Sequence, residues 1–243
     1  FGKRLIDLPL MRRQLLKLLL PTEQARTMVF QTAEALRRAD AGEDGAYALA
    51  RLLTPLIKFR ACRDARKVTG DAMEVRGGCG YIEEWSDARL VRDAHLGSIW
   101  EGTSNIVALD VLRAIRREGA LPVLDAHLRG LRDRTPLHPA ARARFDAVHG
   151  RVLARAASVA EGGQDASARQ VGSALYHLTT STAMAWEAGQ TGSARRMRLA
   201  QAVLSQRLMP ADPLAEQAEP DWLAGVLEPA TAGPETPDCI DLG

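Results

Sequence analysis

The sequence predicts an all-α protein, an antiparallel helical bundle with an appended smaller helical region. Hydrophobic residues make up 46% of the 243 residues, Ala, Leu and Arg are abundant, and aromatic residues account for only 5%. This composition favours helices over strands. Apolar residues recur at helical spacing over long segments. Because Pro and Gly mark short connections between these segments, neighbouring helices should run antiparallel.

Two long helices are predicted first. Asp7 as a capping residue and Pro9 in the first turn indicate a helix that begins there and runs to about residue 39. A second helix should cover residues 47–75. Each helix contains an internal proline, where we expect a kink or a division of the helix. These prolines are Pro21 and Pro55.

A glycine-rich turn, GGCGY at residues 77–81, should end the second helix, because Gly77 and Gly78 can adopt left-handed backbone angles. On the residues alone, a helix end explains this turn fully. A connection with a short helical segment follows. The next long helix should span residues 103–118, with Thr103 as its N-cap and Gly119 after its last turn.

Glu101 is the strongest candidate for a functional residue. It lies between an apolar run at residues 98–100, expected to be buried, and Gly102, where the backbone can bend. A carboxylate beside apolar residues and just before a helix can act as a positioned base. Such a carboxylate is more often a cap or a partner of the helix dipole. Both interpretations stay open on chemistry alone.

The rest of the chain divides into two further parts. Four amphipathic segments between residues 119 and 210, separated by Pro or Gly, predict a small second bundle packed on the first. Residues 211–243 form an acidic, Pro-rich tail with one short helix expected at 222–227. We therefore divide the chain into a bundle at 1–118, the appended helical region at 119–210 and the tail at 211–243.

The charge is distributed unevenly. Between residues 120 and 210, twelve arginines stand against six acidic residues, a net charge of +6; residues 211–243 carry eight acidic residues and no Lys or Arg, a net charge of −8. An arginine excess suits binding to nucleic-acid phosphates. Arginines interspersed on helices are more often a solvated face, so this interpretation is an alternative and not the first choice.

Other site classes find little support. The three cysteines are odd in number and widely spaced, which indicates a reducing compartment and gives no metal spacing. No stretch of about eighteen apolar residues would span a membrane, and we expect a cytoplasmic protein. Because the first residue is Phe1, we expect the chain to be a piece of a longer protein.

Four motifs together carry a resemblance to a known family. GGCGY at 77–81, Arg92-Asp93, SIWEGTSN at 98–105 and LDVLRAI at 109–115 resemble the C-terminal helical domain of flavin-dependent acyl-CoA dehydrogenases. Trp100, LLTPLIKF at 52–59 and AMEVRGGCGYIEE at 72–84 are most similar to the alkylation-response, AidB-like branch. An appended helical region is also what that branch would have. A joint pattern over about forty residues is far more specific than a lone glycine motif.

The resemblance implies a reaction and its residues. Glu101 would remove the α-proton of an acyl-CoA thioester while a hydride leaves the β-carbon for N5 of FAD. Trp100 and Gly102 would lie against the substrate. Thr103 and Asn105 match positions that bind the flavin of the same subunit. The positions that match contacts to the flavin of a partner subunit are Phe1, Glu74, Gly77 and Gly78.

The resemblance also implies partners and leaves alternatives. An electron-transfer flavoprotein would accept the electrons, the assembly would be a homotetramer built as a dimer of dimers, and the pathway would be fatty acid metabolism. The alternative is an AidB-like flavoprotein that associates with nucleic acid and has weak or no dehydrogenase activity. A helical interaction module is a third, if this piece is the natural product.

Two positions depart from the family pattern. Glu74 stands where the family usually has Gln, and a carboxylate there cannot donate a hydrogen bond and suits a pyrophosphate poorly. Arg76 is a nearby residue that would compensate the charge. Pro9 stands where Gln is common on the adenine side of the flavin. These departures concern flavin contacts and not the fold.

Overall fold

The computed structural model describes residues 2–209, 212, 214 and 220–227, and its elements are helical. Phe1 and most of the acidic tail therefore lie outside the described residues. The helices are α1 Pro9–Asp40, α2 Ala46–Val75, α3 Gly78–Tyr81, α4 Asp87–Leu96, α5 Ser104–Glu118, α6 Ala120–Asp133, α7 Pro139–Glu161, α8 Ala168–Thr191, α9 Ala194–Val203 and α10 Leu223–Leu227. Short 3-10 turns at Leu5–Asp7 and Asp165–Ser167 and a π-helical turn at Leu204–Leu208 complete them. The all-α prediction is confirmed.

The two long N-terminal helices form close to where they were predicted. Pro9 is the first residue of α1, as its missing N–H and fixed φ favour. Asp7 is not the cap: it ends the preceding 3-10 turn and pairs with Arg4 at 2.9 Å. Neither helix is divided at its internal proline. α1 continues through Pro21 and α2 through Pro55, and both prolines are buried.

α8 lies at the centre of the fold. It packs against α1, α2, α5, α6, α7 and α9, and its residues 175–185 are all buried. At Gly172 the backbone of α8 comes so close to α2 that a Cβ would stand 3.2 Å from the ring of Phe59. One hydrophobic cluster therefore runs through the bundle and the appended region. The division at residue 118 stays a prediction.

The face of α1 that meets α8 and α9 is polar. Arg196 of α9 is buried and donates to Glu23 at 2.5 Å, to Glu187 at 2.7 Å and to Thr27. Gln24 of α1 donates to side chains of α8. The Arg196 charge and the amide N–H groups of Gln24 are tolerated here because they find partners across the interface, whereas Oε1 of Gln24 has none among the described residues.

The C-terminal part that the structure describes closes over this interface. α10 packs on α1 and α9, with Leu223 and Val226 buried. Arg195 of α9 donates to the carbonyl oxygen of Val226 at 2.8 Å. The short helix predicted at 222–227 is therefore confirmed. Among the helices in the described part of the chain, none is long and apolar enough for a membrane span.

Candidate active site

The connection between α4 and α5 carries Glu101. Beyond Leu96, hydrogen bonds back to α4 hold successive turns: the backbone N–H groups of Ile99 and Trp100 both donate to the carbonyl oxygen of Leu96, at 3.0 and 2.9 Å. α2 also holds this connection, because Lys58 of α2 donates a hydrogen bond to the carbonyl oxygen of Gly97 at 2.9 Å. Residues 97–102, which we call the α4–α5 turn, are thus fixed at their start by two helices.

Glu101 has a left-handed backbone, with φ +57°, and it alone does so among the non-glycine residues that the structure describes. Gly102 follows at φ +113°. The left-handed conformation brings the Cβ of an L-residue too close to its own carbonyl, at a cost of about 1–2 kcal/mol. The predicted bend is confirmed, and it falls on the glutamate as well as on the glycine. Backbone strain of this kind concentrates at functional sites.

The surroundings of Glu101 are more open than the sequence indicated. Ser98 is buried, but Ile99 and Trp100 are 63% and 61% exposed, so the expectation of a buried apolar run is wrong for these two. Glu101 is exposed as well. The run is apolar because it belongs to a surface that no described residue covers. The other large apolar side chains exposed along this part of the chain are Tyr81, Ile82, Trp85, Leu90, Leu96 and Ile106.

The residues after Glu101 offer free polar groups. Thr103 occupies the N-cap position of α5, as predicted, but its side chain makes no capping hydrogen bond. Asn105 is exposed in the first turn of the same helix. Ser104–Glu118 begins and ends as predicted, with Gly119 at φ +59° after its last residue. The hydroxyl of Thr103 and the amide of Asn105 therefore face outward and can bind a ligand.

The glycine-rich turn is only partly as predicted. Gly77 has a left-handed φ of +61°, whereas Gly78 begins the single helical turn α3. A Cβ added to either residue would meet no atom within 4 Å, so the backbone is open to a ligand there. Gly80, which sequence reasoning missed, is the sterically required glycine: its Cβ would stand 2.2 Å from the carbonyl oxygen of Met73.

The charged residues around this turn have other partners than expected. Arg76 pairs with Asp87 at 3.2 Å and lies over the ring of Trp85 at 5.2 Å. It is therefore already engaged and does not compensate Glu74, which is exposed and makes no ion pair with a described residue. α4 brings Asp87 to Arg76, a contact that sequence spacing does not reveal.

Arg92 does not pair with its neighbour Asp93. Arg92 forms two hydrogen bonds with Glu83, at 2.7 and 3.1 Å, across the connection that precedes α4. This contact lowers the pKa of the Glu83 carboxyl. Arg113 of α5 pairs with Asp110 at 2.9 Å. Both arginines are engaged away from Glu101.

Comparisons with known proteins find the clearest similarity in the first half of the chain. Residues 1–116 match the family model "Acyl-CoA dehydrogenase, C-terminal domain". This match covers just under half of the 243 residues. The predicted resemblance is confirmed, including its AidB-like character, since the putative acyl-CoA dehydrogenase AidB of Escherichia coli is 45% identical over 123 residues, which is 50% of this chain and 22% of that protein.

Similarity to acyl-CoA dehydrogenases also reaches beyond residue 116. The 3-methylmercaptopropionyl-CoA dehydrogenase of Ruegeria pomeroyi is 31% identical over 239 residues, 88% of this chain and 39% of its own length. A crystal structure of Caenorhabditis elegans ACDH-11 in complex with C11-CoA shares the fold, with a TM-score of 0.75 at 24% identity over 84% of this chain and 37% of the other. The chain spans about a fifth to two fifths of these relatives.

Proposed function

We propose that this chain is the C-terminal part of an FAD-dependent acyl-CoA dehydrogenase, with Glu101 as the base that removes the α-proton of an acyl-CoA thioester. The observation that carries the proposal is the left-handed backbone of Glu101, inside the EGT segment of a domain that matches this family. A strained glutamate without a structural partner is poorly explained by stability, because a glycine would fit the same backbone at lower cost.

The local chemistry suits an enolate-forming step. The α-proton of a thioester is far too weakly acidic for an ordinary carboxylate, so the developing charge on the thioester oxygen must be stabilised as it forms. The backbone N–H of Glu101 donates to no group among the described residues. It is therefore free to hydrogen-bond the thioester oxygen while the carboxylate takes the proton. One residue then supplies both the base and one oxyanion donor.

The described residues fit a flavin in part. The open backbone at Gly77 and Gly78 and the free side chains of Thr103 and Asn105 would hold FAD through hydrogen bonds. Bound FAD would supply the acceptor for the hydride that leaves the β-carbon. The Glu74 carboxylate would repel the negatively charged pyrophosphate of FAD. Arg76 does not neutralise this carboxylate, because it pairs with Asp87. We therefore assign Glu74 no flavin contact while it is ionised.

The exposed apolar surface has a role in this proposal. Ile99, Trp100 and the other exposed apolar side chains around the α4–α5 turn would contact the substrate, the remaining part of the enzyme and a partner subunit of a homo-oligomer. An electron-transfer flavoprotein would reoxidise the cofactor, in the cytoplasm. The chain alone, without the surfaces that would complete the flavin site, should be inactive.

The nucleic-acid alternative loses part of its support. Its basis is the net charge of +6 between residues 120 and 210. At least five of the twelve arginines there are paired with carboxylates, so that much of this charge is locally neutralised. These are Arg129, Arg132, Arg142, Arg195 and Arg196. The alternative stays a prediction, tested by whether affinity for duplex DNA falls steeply with added salt.

The decisive experiment uses the complete protein purified from its reading frame. Its flavin absorbance is recorded before and after anaerobic addition of a panel of acyl-CoAs that includes C11-CoA and 3-methylmercaptopropionyl-CoA. We expect one class of acyl-CoA to bleach the flavin. Glu101→Gln should slow this reduction by about 100-fold or more, the usual contribution of a general base. Glu161→Gln, an exposed glutamate of α7, is the matched control.

Two results would contradict the proposal. A flavin that no acyl-CoA bleaches would favour the AidB-like alternative. Reduction of the Glu101→Gln variant at the parent rate would remove Glu101 from the role of base, even if the reaction class were right.

A further inference from the structure

A groove on the appended region is lined by arginines. It lies between α7, α8 and the π-helical turn Leu204–Leu208 and has a volume of about 840 Å³, within the range of small-molecule pockets. Among the described residues, no carboxylate and no Phe, Tyr or Trp lines it, and none of its lining residues belongs to the α4–α5 turn. We call it the arginine groove. The arginines that line it are Arg60, Arg151, Arg155 and Arg207.

Two of the four arginines have no carboxylate partner among the described residues. Arg60 pairs with Asp64 at 2.6 Å. Arg151, Arg155 and Arg207 form no salt bridge with any residue in the described part of the chain, although Arg207 lies near enough to Asp64 for its charge to act on that carboxyl. Arg155 donates only to neutral side-chain oxygens, at 3.1 to 3.5 Å. Guanidinium groups gathered in one groove without carboxylates are the usual arrangement for binding phosphate oxygens.

The floor of the groove adds a fixed hydrogen-bond donor, His177. Its Nδ1 is 2.9 Å from Nε2 of Gln24, which also donates to Thr180 Oγ1 at 2.7 Å. The Thr180 hydroxyl donates its hydrogen bond to the carbonyl oxygen of Tyr176, at 2.8 Å. It must therefore accept the hydrogen bond from Gln24. The hydrogen bond to Thr180 fixes the Gln24 amide so that its NH2 group faces His177. Nδ1 of His177 therefore accepts a hydrogen bond, and its Nε2 carries the proton.

The remaining nitrogen of His177 is the one left for a ligand. Nε2 has no hydrogen-bond partner among the described residues, although the side chain is only 6% exposed and lines the groove. Burial, with the nearby charges of Arg60 and Arg207, lowers the pKa of His177 well below its usual range. The imidazole therefore stays neutral and acts as a donor, not as a further charge.

We propose that the arginine groove binds a small organic phosphate. Its phosphate oxygens accept hydrogen bonds from Arg151, Arg155 and Arg207, and its less polar part lies on the floor, where His177 Nε2 donates to it. Val148, Val152 and Val171 give this floor its apolar surface. Several guanidinium groups line the groove, and this excess of positive charge suits a phosphate better than a ligand with a single carboxylate.

The shape of the site favours a small ligand over a nucleic acid. Proteins that hold a single strand combine a basic track with aromatic stacking platforms, and the arginine groove has no such platform. Its charges surround one concave, apolar-floored volume. This site is separate from the proposed dehydrogenase site, and its test does not depend on that proposal.

The test is calorimetric titration of the 243-residue chain with inorganic pyrophosphate and with ADP, at low and at physiological salt. We expect ADP to bind more tightly than pyrophosphate. Arg151→Gln and Arg207→Gln should each weaken ADP binding by about tenfold or more, the usual effect of losing a charge-assisted hydrogen bond. Arg117→Gln is the matched control, because Arg117 is exposed at the end of α5 and lies outside the groove. It should change the affinity by less than about twofold.

Three outcomes would overturn the proposal. The first is that neither probe binds at millimolar concentration while the variants and the parent show the same urea midpoint. The second is that Arg117→Gln weakens binding as much as the groove variants do, which indicates unspecific charge. The third is that duplex DNA binds more tightly than ADP and loses its affinity in the same two variants, which would make the groove part of a nucleic-acid surface.

Discussion

Replacing Glu101 by glycine should make the protein more stable and inactive. The left-handed backbone at φ +57° costs about 1–2 kcal/mol for an L-residue, and glycine removes this cost. Glycine also loses more freedom on folding, which offsets about 0.5–1 kcal/mol of the gain. Because Glu101 is exposed and its side chain has no partner among the described residues, little else is lost. The net expectation is a gain of about 0.5–1 kcal/mol.

The measurement is urea unfolding of the chain, with Glu101→Ala as the reference. Alanine removes the same carboxylate but keeps the Cβ that causes the strain, so it should leave the midpoint nearly unchanged. The glycine variant should unfold at a higher midpoint with the same slope, and neither variant should support flavin reduction in the complete protein. A glycine variant no more stable than the alanine variant would refute the claim that the turn is strained.

Three further results are expected. Arg196→Met should lower the free energy of unfolding by about 1–3 kcal/mol, because Glu187 and Thr27 lose the Arg196 guanidinium, whereas Glu23 keeps Arg26 and Arg195. Gly80→Ala should destabilise by at least about 1–3 kcal/mol, since its Cβ would stand 2.2 Å from the Met73 carbonyl oxygen; Gly130→Ala on α6, where the Cβ meets nothing within 4 Å, should stabilise slightly. Burial and, to a smaller extent, nearby arginines lower the pKa of His127 to about 4. As the pH falls, His127 therefore becomes protonated in the unfolded chain before it does so in the folded chain. The contribution of His127 to stability should therefore fall by up to about 3 kcal/mol between pH 6.5 and 4. His127→Gln should make that part of the pH profile less steep, and His177, whose pKa is lowered too, should account for part of the remaining slope.

The helices were predictable because the glycines at their ends and the helical spacing of their apolar residues indicate the same segments. α6, the first of the four segments predicted between residues 119 and 210, covers Ala120–Asp133, between Gly119 at φ +59° and the turn before Pro136. The limits of α2 and α5 were also found to within one residue, since glycines mark their ends. The bend at Glu101 was predictable for the same reason, because Gly102 follows it directly.

Partners across the fold were less predictable. Arg76 and Arg92 each had an acidic neighbour along the chain, but α4 brings Asp87 to the first and the preceding connection brings Glu83 to the second. The exposure of Ile99 and Trp100 could not be read from hydrophobicity, because a surface that awaits a partner is as apolar as a core. Burial is a property of the assembled chain, and sequence periodicity reports only that a face is apolar.

The appended region is physically tied to the site. Lys58 of α2 holds the start of the α4–α5 turn through the Gly97 carbonyl, and a Cβ at Gly97 would stand 3.4 Å from the sulfur of Cys62 on the same helix. α2 is held in turn by α8, where the Phe59 ring packs against the bare backbone of Gly172. Without α8, Phe59 and its neighbours in the core would be exposed. The strained backbone of Glu101 therefore depends on helices that lie well beyond the family domain.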